Sequence, residues 1–311
     1  MSRECQPAWA GPILRGVVAT PDLAGSVAGY RDGLGWRLRR RGRLAPATAR
    51  AWSAPALAGA EYAVLGPASR IGGDLQLVAV PPTPVPQPLR HYGWAALELL
   101  VADLDATLAG LAAAPGGLAA APGGPAGRFT VLGRPAALSG PAAPLRAAQL
   151  AGPAGEVIYL TEVRRPVPPF ALPVASPGPG ADGVFVAVLA ARDLDATRAW
   201  WERRFPVRRC TDRPATIGVL NRAHGRSPAA TTRISSLQLA GRSVLEIDQY
   251  PATAGPRPVA SGGSLPPGIA LIAIGVPDPG TDRTNGGFMV ARGPDAALVE
   301  LVPAPRPIDL V

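Results

Sequence analysis

The sequence predicts an α+β protein of two domains, each pairing two βαβββ units into a curled mixed sheet around a cavity. The pentapeptide Asp-Leu-Asp-Ala-Thr occurs twice without change, at residues 103–107 and 193–197, each time between an apolar run and a helix-like run. Weaker copies of this junction stand at Asp22 and Asp278, so the junction recurs at intervals of 81, 90 and 85 residues. Such a recurrence indicates tandem units, and one unit needs a second to cover the bare face of its sheet.

The first unit opens with an apolar strand at residues 13–20. The carboxylate of Asp22 can accept the free N–H groups at a helix start, so a helix is predicted from there to residue 33, with Tyr30 and Leu34 packing inward. Apolar residues that alternate with arginine then predict a half-exposed strand. The later predicted elements of this unit are that strand at residues 36–44, a short helix within 45–57, and strands at 61–65 and 74–80.

The other three units follow the same plan. In the second and third units the pentapeptide opens a helix that runs to about residue 113 and residue 204 respectively. The predicted strands of these two units are at 94–102, 128–132, 146–150, 157–163, 184–190, 231–239 and 243–249, with a short strand ending at Cys210 and a helical piece at 215–223. The fourth unit has a strand from residue 268, a crossover at 278–285 that is too short for a full helix, and strands at 287–291 and 297–302.

Proline and glycine mark the predicted connections between these units. Residues 81–88 carry five prolines and are predicted to be a connector. A second stretch, at residues 166–183, is rich in both residue types and is predicted to link a first domain at 1–165 to a second at 184–311.

The basic charge of the chain carries little functional information. The formal net charge is +9, and all 31 basic residues are arginine. Arginine, alanine, glycine and proline share GC-rich codons, so mutational bias explains the excess; a surface for nucleic acid or an acidic partner is the alternative. The dense arginine cluster at residues 37–43 has no interleaved aromatic side chains, so no nucleic-acid partner is expected.

Cysteine content and hydropathy exclude further classes. The two cysteines, Cys5 and Cys210, cannot form a disulfide framework or a four-cysteine zinc site. The N-terminus has no apolar signal-peptide core and no run of 18 apolar residues occurs, so no membrane association and a cytoplasmic location are expected. Four fused units make a monomer plausible, and a homodimer stays open.

This organisation resembles the vicinal oxygen chelate superfamily, which includes glyoxalases, extradiol dioxygenases and bleomycin-resistance proteins. The resemblance covers nearly the whole chain, with the second half following the plan less faithfully. It implies two glyoxalase-like domains, and its motifs specify a fold better than an activity. The segments that carry it are residues 16–23, 30–36, 52–67, 94–106 and 155–162.

Members of this superfamily usually bind one divalent metal in each domain, through the first and last strands of a unit. The resemblance places the ligand positions seven residues before each helix-opening aspartate and on the last strand. The residues found there are Arg15, Ala96, Gln76 and Tyr159 in the first domain and Val186, Leu271, Glu246 and Glu300 in the second. Arginine keeps its proton and cannot ligate, and such an ion wants three or four N or O donors. No metal and no cofactor are therefore expected, although two glutamates could hold Mg²⁺ weakly.

The same positions supply the candidate functional residues. Because alternate residues of a strand share a face, Trp94, Ala96 and Glu98 are predicted to line one cavity. The predicted ligand-binding residues are Arg15, Gln76, Trp94 and Ala96, and the predicted catalytic residues are Glu98, Tyr159, Glu246 and Glu300.

Each candidate set has a structural alternative. Arg15 and Glu98 either hold the oxygens of a ligand or act as an acid/base pair, or they form a buried ion pair that only fixes the fold. Glu246 and Glu300 are predicted to face each other as acid and base, or else lie at a sheet margin in water. His91 and His224 are predicted surface or rim residues, with a cavity mouth as the alternative for His91.

Two functions are compatible with these residues. The first is a metal-independent binding protein of the bleomycin-resistance type, which would hold a small apolar or planar natural product in a sheet-lined cavity. The second is an enzyme of secondary metabolism, such as an isomerase, cyclase or lyase. It would transfer protons through Tyr159, Glu98 or the Glu246/Glu300 pair.

Overall fold

A computed structural model describes residues 10–115, 117–119, 128–138, 143–276 and 289–303. The strands within these residues are β1 (Ile13–Thr20), β2 (Arg37–Arg43), β3 (Glu61–Gly66), β4 (Asp74–Ala79), β5 (Gly93–Val101), β6 (Thr130–Ala137), β7 (Leu145–Ala151), β8 (Val157–Val163), β9 (Val184–Ala191), β10 (Arg208–Ala215), β11 (Thr232–Gln238), β12 (Val244–Gln249), β13 (Gly268–Val276), β14 (Met289–Arg292) and β15 (Leu298–Pro303). The helices are α1 (Leu23–Ala28), which a π-helical turn at Gly29–Gly33 continues, α2 (Pro46–Ala51), α3 (Leu104–Ala113), α4 (Leu194–Arg204) and α5 (Gly218–Ala223).

The predicted helix starts are confirmed wherever the structure describes them. The side chains of Asp22, Asp103 and Asp193 each accept a hydrogen bond from the backbone N–H three residues later, at 2.9, 2.9 and 3.0 Å. These bonds satisfy N–H groups that have no partner inside the helix. The predicted crossover at residues 278–285 lies outside the described residues.

The strands form two mixed sheets, so the α+β class is confirmed. The seven-stranded sheet has the order β14-β15-β13-β1-β4-β3-β2, and the eight-stranded sheet has the order β10-β11-β12-β9-β5-β8-β7-β6. In each sheet the first strands of two units lie side by side and antiparallel, β1 with β13 and β5 with β9.

The units are not paired in the order that the sequence predicted. The prediction joined the first unit to the second and the third to the fourth, whereas the seven-stranded sheet joins the first to the fourth and the eight-stranded sheet joins the second to the third. The reason is that the connections at residues 80–92 and 250–267 cross from one sheet to the other, while the chain between β8 and β9 stays on the same sheet. The division into 1–165 and 184–311 stays a prediction, and neither sheet is confined to one side of it.

One face of each sheet belongs to a shared core. This core contains Leu97 and Leu99 of the eight-stranded sheet and Leu75 and Leu77 of the seven-stranded sheet, all of them fully buried. The sheets approach closely at Gly16, where a Cβ atom would lie 2.7 Å from Leu97 Cδ1. We call the opposite face of each sheet its inner face, and each inner face carries a separate apolar cluster.

The predicted linker packs against the protein instead of acting as a free spacer. Phe170, Leu172 and Ala175 lie against the apolar cluster on the inner face of the eight-stranded sheet. The Ala171 N–H donates to Gln238 Oε1 at 2.9 Å, and Gln238 Nε2 donates back to the Ala171 carbonyl at 3.2 Å. The segment therefore forms a cover over that inner face.

Candidate functional site

The candidate residues lie on three surfaces of the molecule. Glu98, Ala96, Tyr159 and Glu246 lie on the inner face of the eight-stranded sheet, where their cross-strand neighbours belong to its apolar cluster. Arg15, Gln76 and Glu300 lie on the inner face of the seven-stranded sheet. Trp94 lies in the shared core.

The predicted alternation fails at Trp94. The pairing of β5 with β9 is irregular between Trp94 and Ala96, and such an irregularity changes which side of a sheet a residue faces. Trp94 Nε1 donates to the Leu298 carbonyl at 2.9 Å, and the indole packs edge-on against Trp201 with ring centroids 6.3 Å apart. Trp94 therefore ties the two sheets together and does not share a face with Glu98.

The predicted charge pairs are also wrong, and one different pair replaces them. Arg15 Nη2 donates to Glu300 Oε1 at 2.7 Å, because both residues are in register with Ala273 of the strand between them. The Glu300 side chain is fully buried and the Arg15 side chain is 27% exposed. Arg15 is thus the partner of Glu300 and not of Glu98, and Glu300 cannot face Glu246, which is on the other sheet.

Most of the remaining inner face of the seven-stranded sheet is apolar. Trp52 and Leu57, which follow α2, are buried in its cluster together with Val17 and Leu271. Gln76 lies directly opposite Val17 and is 6% exposed. The Arg15–Glu300 ion pair therefore lies beside a packed apolar floor.

The inner face of the eight-stranded sheet gathers carboxyl and hydroxyl groups. Glu98 lies directly opposite Tyr159 of β8 and Val186 of β9, and Thr161 Oγ1 donates to Glu98 Oε2 at 2.8 Å. Glu246 of β12 lies opposite Val188 of β9, the next inner-face residue of that strand. Three of the four predicted catalytic residues are thereby on one face.

Burial makes these carboxyl groups unusually weak acids. Burial, with repulsion from Glu246, raises the pKa of Glu98 to about 8 from an ordinary value of 4.5. Burial also raises the pKa of Glu246, but the positive charge of Arg213 and hydrogen bonding with Asp248 act against that rise. Removing a carboxylate from water disfavours its charged form, and a neighbouring negative charge adds to the effect.

Three residues of this site escaped the sequence analysis. Asp248 of β12 and Tyr250, the residue after the end of β12, follow Glu246 at every second position, and Thr161 follows Tyr159 in the same way on β8. Burial and the repulsion of Glu246 and Glu98 raise the pKa of Asp248 well above its ordinary value. The two-residue alternation of a strand, continued from the candidate positions, would have identified all three.

Some of these side chains are not completely closed off from solvent. Glu98, Tyr159 and Val186 keep 7%, 8% and 6% of their surfaces accessible, whereas Leu100 on the same face has none. Valine side chains, including Val157 and Val188, surround the polar groups. Phe170 and Leu172 of the covering segment and residues of α5 pack on the same cluster. The site is therefore polar at its floor, apolar at its walls, and largely covered.

The residues at the superfamily's metal positions do not fit a divalent ion. In the pairing of the structure, one inner face contributes Arg15, Gln76, Leu271 and Glu300 and the other contributes Ala96, Tyr159, Val186 and Glu246. The only carboxylate of the first set is bonded to a guanidinium, which cannot ligate. The second set offers one carboxylate and one phenol. Across the described residues, no group of three or more His, Cys, Asp or Glu side chains is arranged to hold a metal ion.

The two histidines lie beside the connections between the sheets, and the His224 ring also packs edge-on against Tyr250, with ring centroids 6.1 Å apart. His224 Nδ1 is 2.7 Å from Thr253 Oγ1, and its Nε2 is 2.8 Å from the Leu89 carbonyl oxygen. His91 lies at the edge of a groove between the two connections, which agrees with the predicted rim position.

Among the helices that the structure describes, none is long and apolar enough to cross a membrane.

Comparison with known proteins identifies the fold. No protein-family model and no curated protein sequence matches the chain. Glyoxalase I from Zea mays has a similar structure, with a TM-score of 0.56, 15% sequence identity, and coverage of 94% of this chain and 92% of the maize chain. A mutant of that enzyme gives a TM-score of 0.57 at 16% identity, covering 94% and 93% of the two chains. A proposed dioxygenase from Bacillus subtilis gives 0.56 at 13% identity, covering 96% and 86%. The resemblance to vicinal oxygen chelate proteins is therefore confirmed at the level of the fold.

Proposed function

We propose that this protein binds a small apolar or planar molecule, without a metal ion, on the inner face of the eight-stranded sheet. The observation that carries the proposal is that Glu98, Tyr159 and Glu246 lie on this one face, where Glu98 and Tyr159 keep 7% and 8% of their surfaces accessible. Valine walls would contact the body of the ligand, and the polar floor would bind its hydroxyl or carbonyl groups. Ligand sites commonly combine mostly apolar walls with a few converging polar groups.

Binding of 2-naphthol, a planar apolar probe with one hydroxyl group, tests this proposal. Saturable binding is expected by isothermal titration calorimetry, and it should survive prior dialysis against EDTA because no step needs a metal. Val186→Phe, which places a larger side chain directly beside Glu98, should abolish binding. Val174→Phe is the matched control because Val174 is 76% exposed in the covering segment. Equal binding by wild type and Val186→Phe, or a stoichiometric metal that binding requires, would refute the proposal.

The pKa of Glu98 favours a second candidate, an enzyme that transfers protons on the same face. A carboxyl group with a pKa of about 8 holds its proton at neutral pH. Burial raises the pKa of Glu246 as well, but Arg213 and Asp248 oppose that rise. Two carboxyl groups whose environments push their pKa values apart can serve as acid and base in one reaction, as an isomerase, cyclase or lyase requires.

Exchange of C–H protons with solvent tests the enzyme candidate without knowledge of the natural substrate. In D₂O, the protein should accelerate deuterium uptake at the α-carbon of 2-hydroxyacetophenone, followed by NMR. Glu98→Gln should remove this acceleration while 2-naphthol binding persists. Unchanged exchange in Glu98→Gln would exclude Glu98 as the proton-transfer group, and no acceleration by wild type would leave the binding function as the better account.

A further inference from the structure

A groove separate from both inner faces lies between the two connections that cross from one sheet to the other. Its volume is about 650 Å³, within the range of ligand sites in proteins, roughly 300–1,000 Å³. One wall is the proline-rich connection at residues 83–91, and the other consists of residues 253–260 with Pro266 and Pro267. A small recess beside it shares Pro86, Gln87, His91 and Pro267 and reaches Arg257.

Backbone and side-chain hydrogen bonds hold the two walls together. The Tyr92 N–H donates to the Gly255 carbonyl at 2.9 Å, and the Gly255 N–H donates to the Arg90 carbonyl at 3.0 Å. His224 bridges the same two segments through Leu89 and Thr253. The groove therefore exists in the folded protein without a ligand to order it.

The walls expose apolar surface that the protein does not cover. Val259 is 94% exposed and Val85 is 43% exposed, and both line the groove among prolines. Two of the five large apolar side chains that are exposed among the described residues thus lie on one concave surface, and contiguous exposed apolar surface marks binding sites.

The charge of the groove has one sign. Arg90 and His91 line the groove and Arg257 lines the recess, and none of the described residues that line the groove is acidic. Arg257 donates to the carbonyl oxygens of Ile269 and Pro267 and has no carboxylate within ion-pair distance among the described residues. Glu156 lines the recess, but Tyr30 and the Ala154 N–H already bond its two oxygens.

These features are mutually consistent. Burial and the charges of Arg257 and Arg90 lower the pKa of His91, and burial lowers the pKa of Arg257 to about 10. Positive groups that disfavour one another's charge in a partly dry site are stabilised by an anion. An apolar wall with a cationic end is complementary to a molecule that has an apolar body and one negative group.

We propose that this groove is a second ligand site, which binds small apolar organic acids with the carboxylate directed at Arg90, His91 and Arg257. The groove is distinct from the proposed site on the eight-stranded sheet, since none of the residues that line the groove belongs to the apolar cluster of that sheet. The recess adjoins that cluster and shares Leu89, Tyr92, Ala95 and Val157 with it. The apolar body lies between the exposed valines and prolines of the two walls.

Calorimetric titration with 2-naphthoate, set beside its neutral isostere 2-naphthamide, tests the proposal. The carboxylate should bind and the amide should bind about tenfold more weakly, because one charge contact in a partly desolvated site is lost. Val259→Asp, a change at a fully exposed groove residue, should weaken 2-naphthoate by at least about tenfold. Val174→Asp changes the net charge equally at another exposed valine and should leave affinity unchanged.

The remaining variants separate the two ligand sites. Arg90→Gln should weaken 2-naphthoate binding severalfold, whereas Val186→Phe on the inner face should not alter it. Four results would overturn the proposal: no binding of 2-naphthoate at millimolar concentration, equal binding of the amide, equal losses in Val259→Asp and Val174→Asp, or loss of binding in Val186→Phe. The last result would assign the probe to the inner face instead.

Discussion

The inner faces of the two sheets occupy equivalent positions of one repeated plan but treat buried charge differently. On the seven-stranded sheet, the buried Glu300 carboxylate is bonded to the Arg15 guanidinium at 2.7 Å. On the eight-stranded sheet, Glu98 has the Thr161 hydroxyl as its hydrogen-bond donor, and repulsion from Glu246 adds to the effect of burial on its pKa. The same position in the fold can therefore hold a carboxylate that an adjacent cation stabilises, or a carboxyl group whose pKa burial and repulsion have raised.

On the eight-stranded sheet, raised pKa values extend over a group of neighbouring carboxyl groups. Glu98, Glu246 and Asp248 each have a raised pKa, and burial is the largest cause for all three. Such groups cluster at functional sites because catalysis and binding use groups that folding alone would not favour. This difference is why we assign the function to this face and a structural role to the ion pair.

At neutral pH, removal of Arg15 is expected to have the largest effect on stability among these substitutions. Arg15→Met leaves the fully buried Glu300 carboxylate without its cation, which should lower the free energy of unfolding by about 2–4 kcal/mol, discounted for the partial exposure of Arg15. Urea unfolding followed by circular dichroism measures this loss. Arg15→Met combined with Glu300→Leu should recover most of it, because no charge is then left buried. A loss below about 1 kcal/mol in the single variant would mean that the pair resembles a surface ion pair.

On the inner face of the eight-stranded sheet, protonation of the Glu98 carboxylate is expected to stabilise the protein. The pKa of Glu98 is about 8 in the folded protein and near its ordinary 4.5 when unfolded, so the folded state holds the extra proton between these values. Stability should therefore be greatest below about pH 4.5 for this group and fall as pH rises to about 8, by up to about 5 kcal/mol, since each pKa unit corresponds to about 1.4 kcal/mol. Glu98→Gln should flatten this part of the pH profile.

Unfolding free energies at a series of pH values, measured for wild type and Glu98→Gln, check that expectation. Glu61→Gln is a matched control, since Glu61 is 60% exposed on the outer part of β3. A wild-type profile that rises between these pH values, or one that Glu98→Gln does not change, would contradict the assignment.

A bond between the two halves of the molecule is expected to have an intermediate effect. Tyr30, in the turn after α1, donates to Glu156 Oε1 at 2.5 Å, and the Ala154 N–H donates to Oε2 at 2.8 Å. Tyr30→Phe removes one donor from a buried carboxyl group and should cost about 1–3 kcal/mol. Glu156→Gln can keep both bonds, because its amide can accept from Ala154 and donate to the tyrosine oxygen, so thermal unfolding should show a smaller loss than in Tyr30→Phe.

The smallest effect concerns the two identical helix starts. Asp103→Ala and Asp193→Ala each remove one cap bond to a backbone N–H, and each should cost about 1 kcal/mol. Asparagine at either position keeps the bond and is the control. Because the junctions repeat both in sequence and in geometry, unequal losses in the two alanine variants would show that their surroundings, and not the cap, dominate.

Local signals in the sequence predicted the elements well. The repeated aspartates predicted the starts of α1, α3 and α4, since an N-cap depends only on residues within one turn. The apolar runs predicted the strands that became β1, β5, β9 and β13. The same pattern placed Glu98, Tyr159 and Glu246 on strands of the repeated unit. The prediction failed at Trp94, where an irregularity in β5 moves the side chain into the shared core.

The sequence by itself determined the repeated unit, its strands and its helix starts, because these depend on periodicity and on contacts between near neighbours in the chain. Only the tertiary structure decided which units share a sheet, and with that it decided that Arg15 contacts Glu300 while Glu98 shares a face with Glu246. All four units have similar apolar faces, so the pattern of apolar residues cannot distinguish one pairing from another. The choice rests on how the long connections cross between the sheets, which no local property of the sequence encodes.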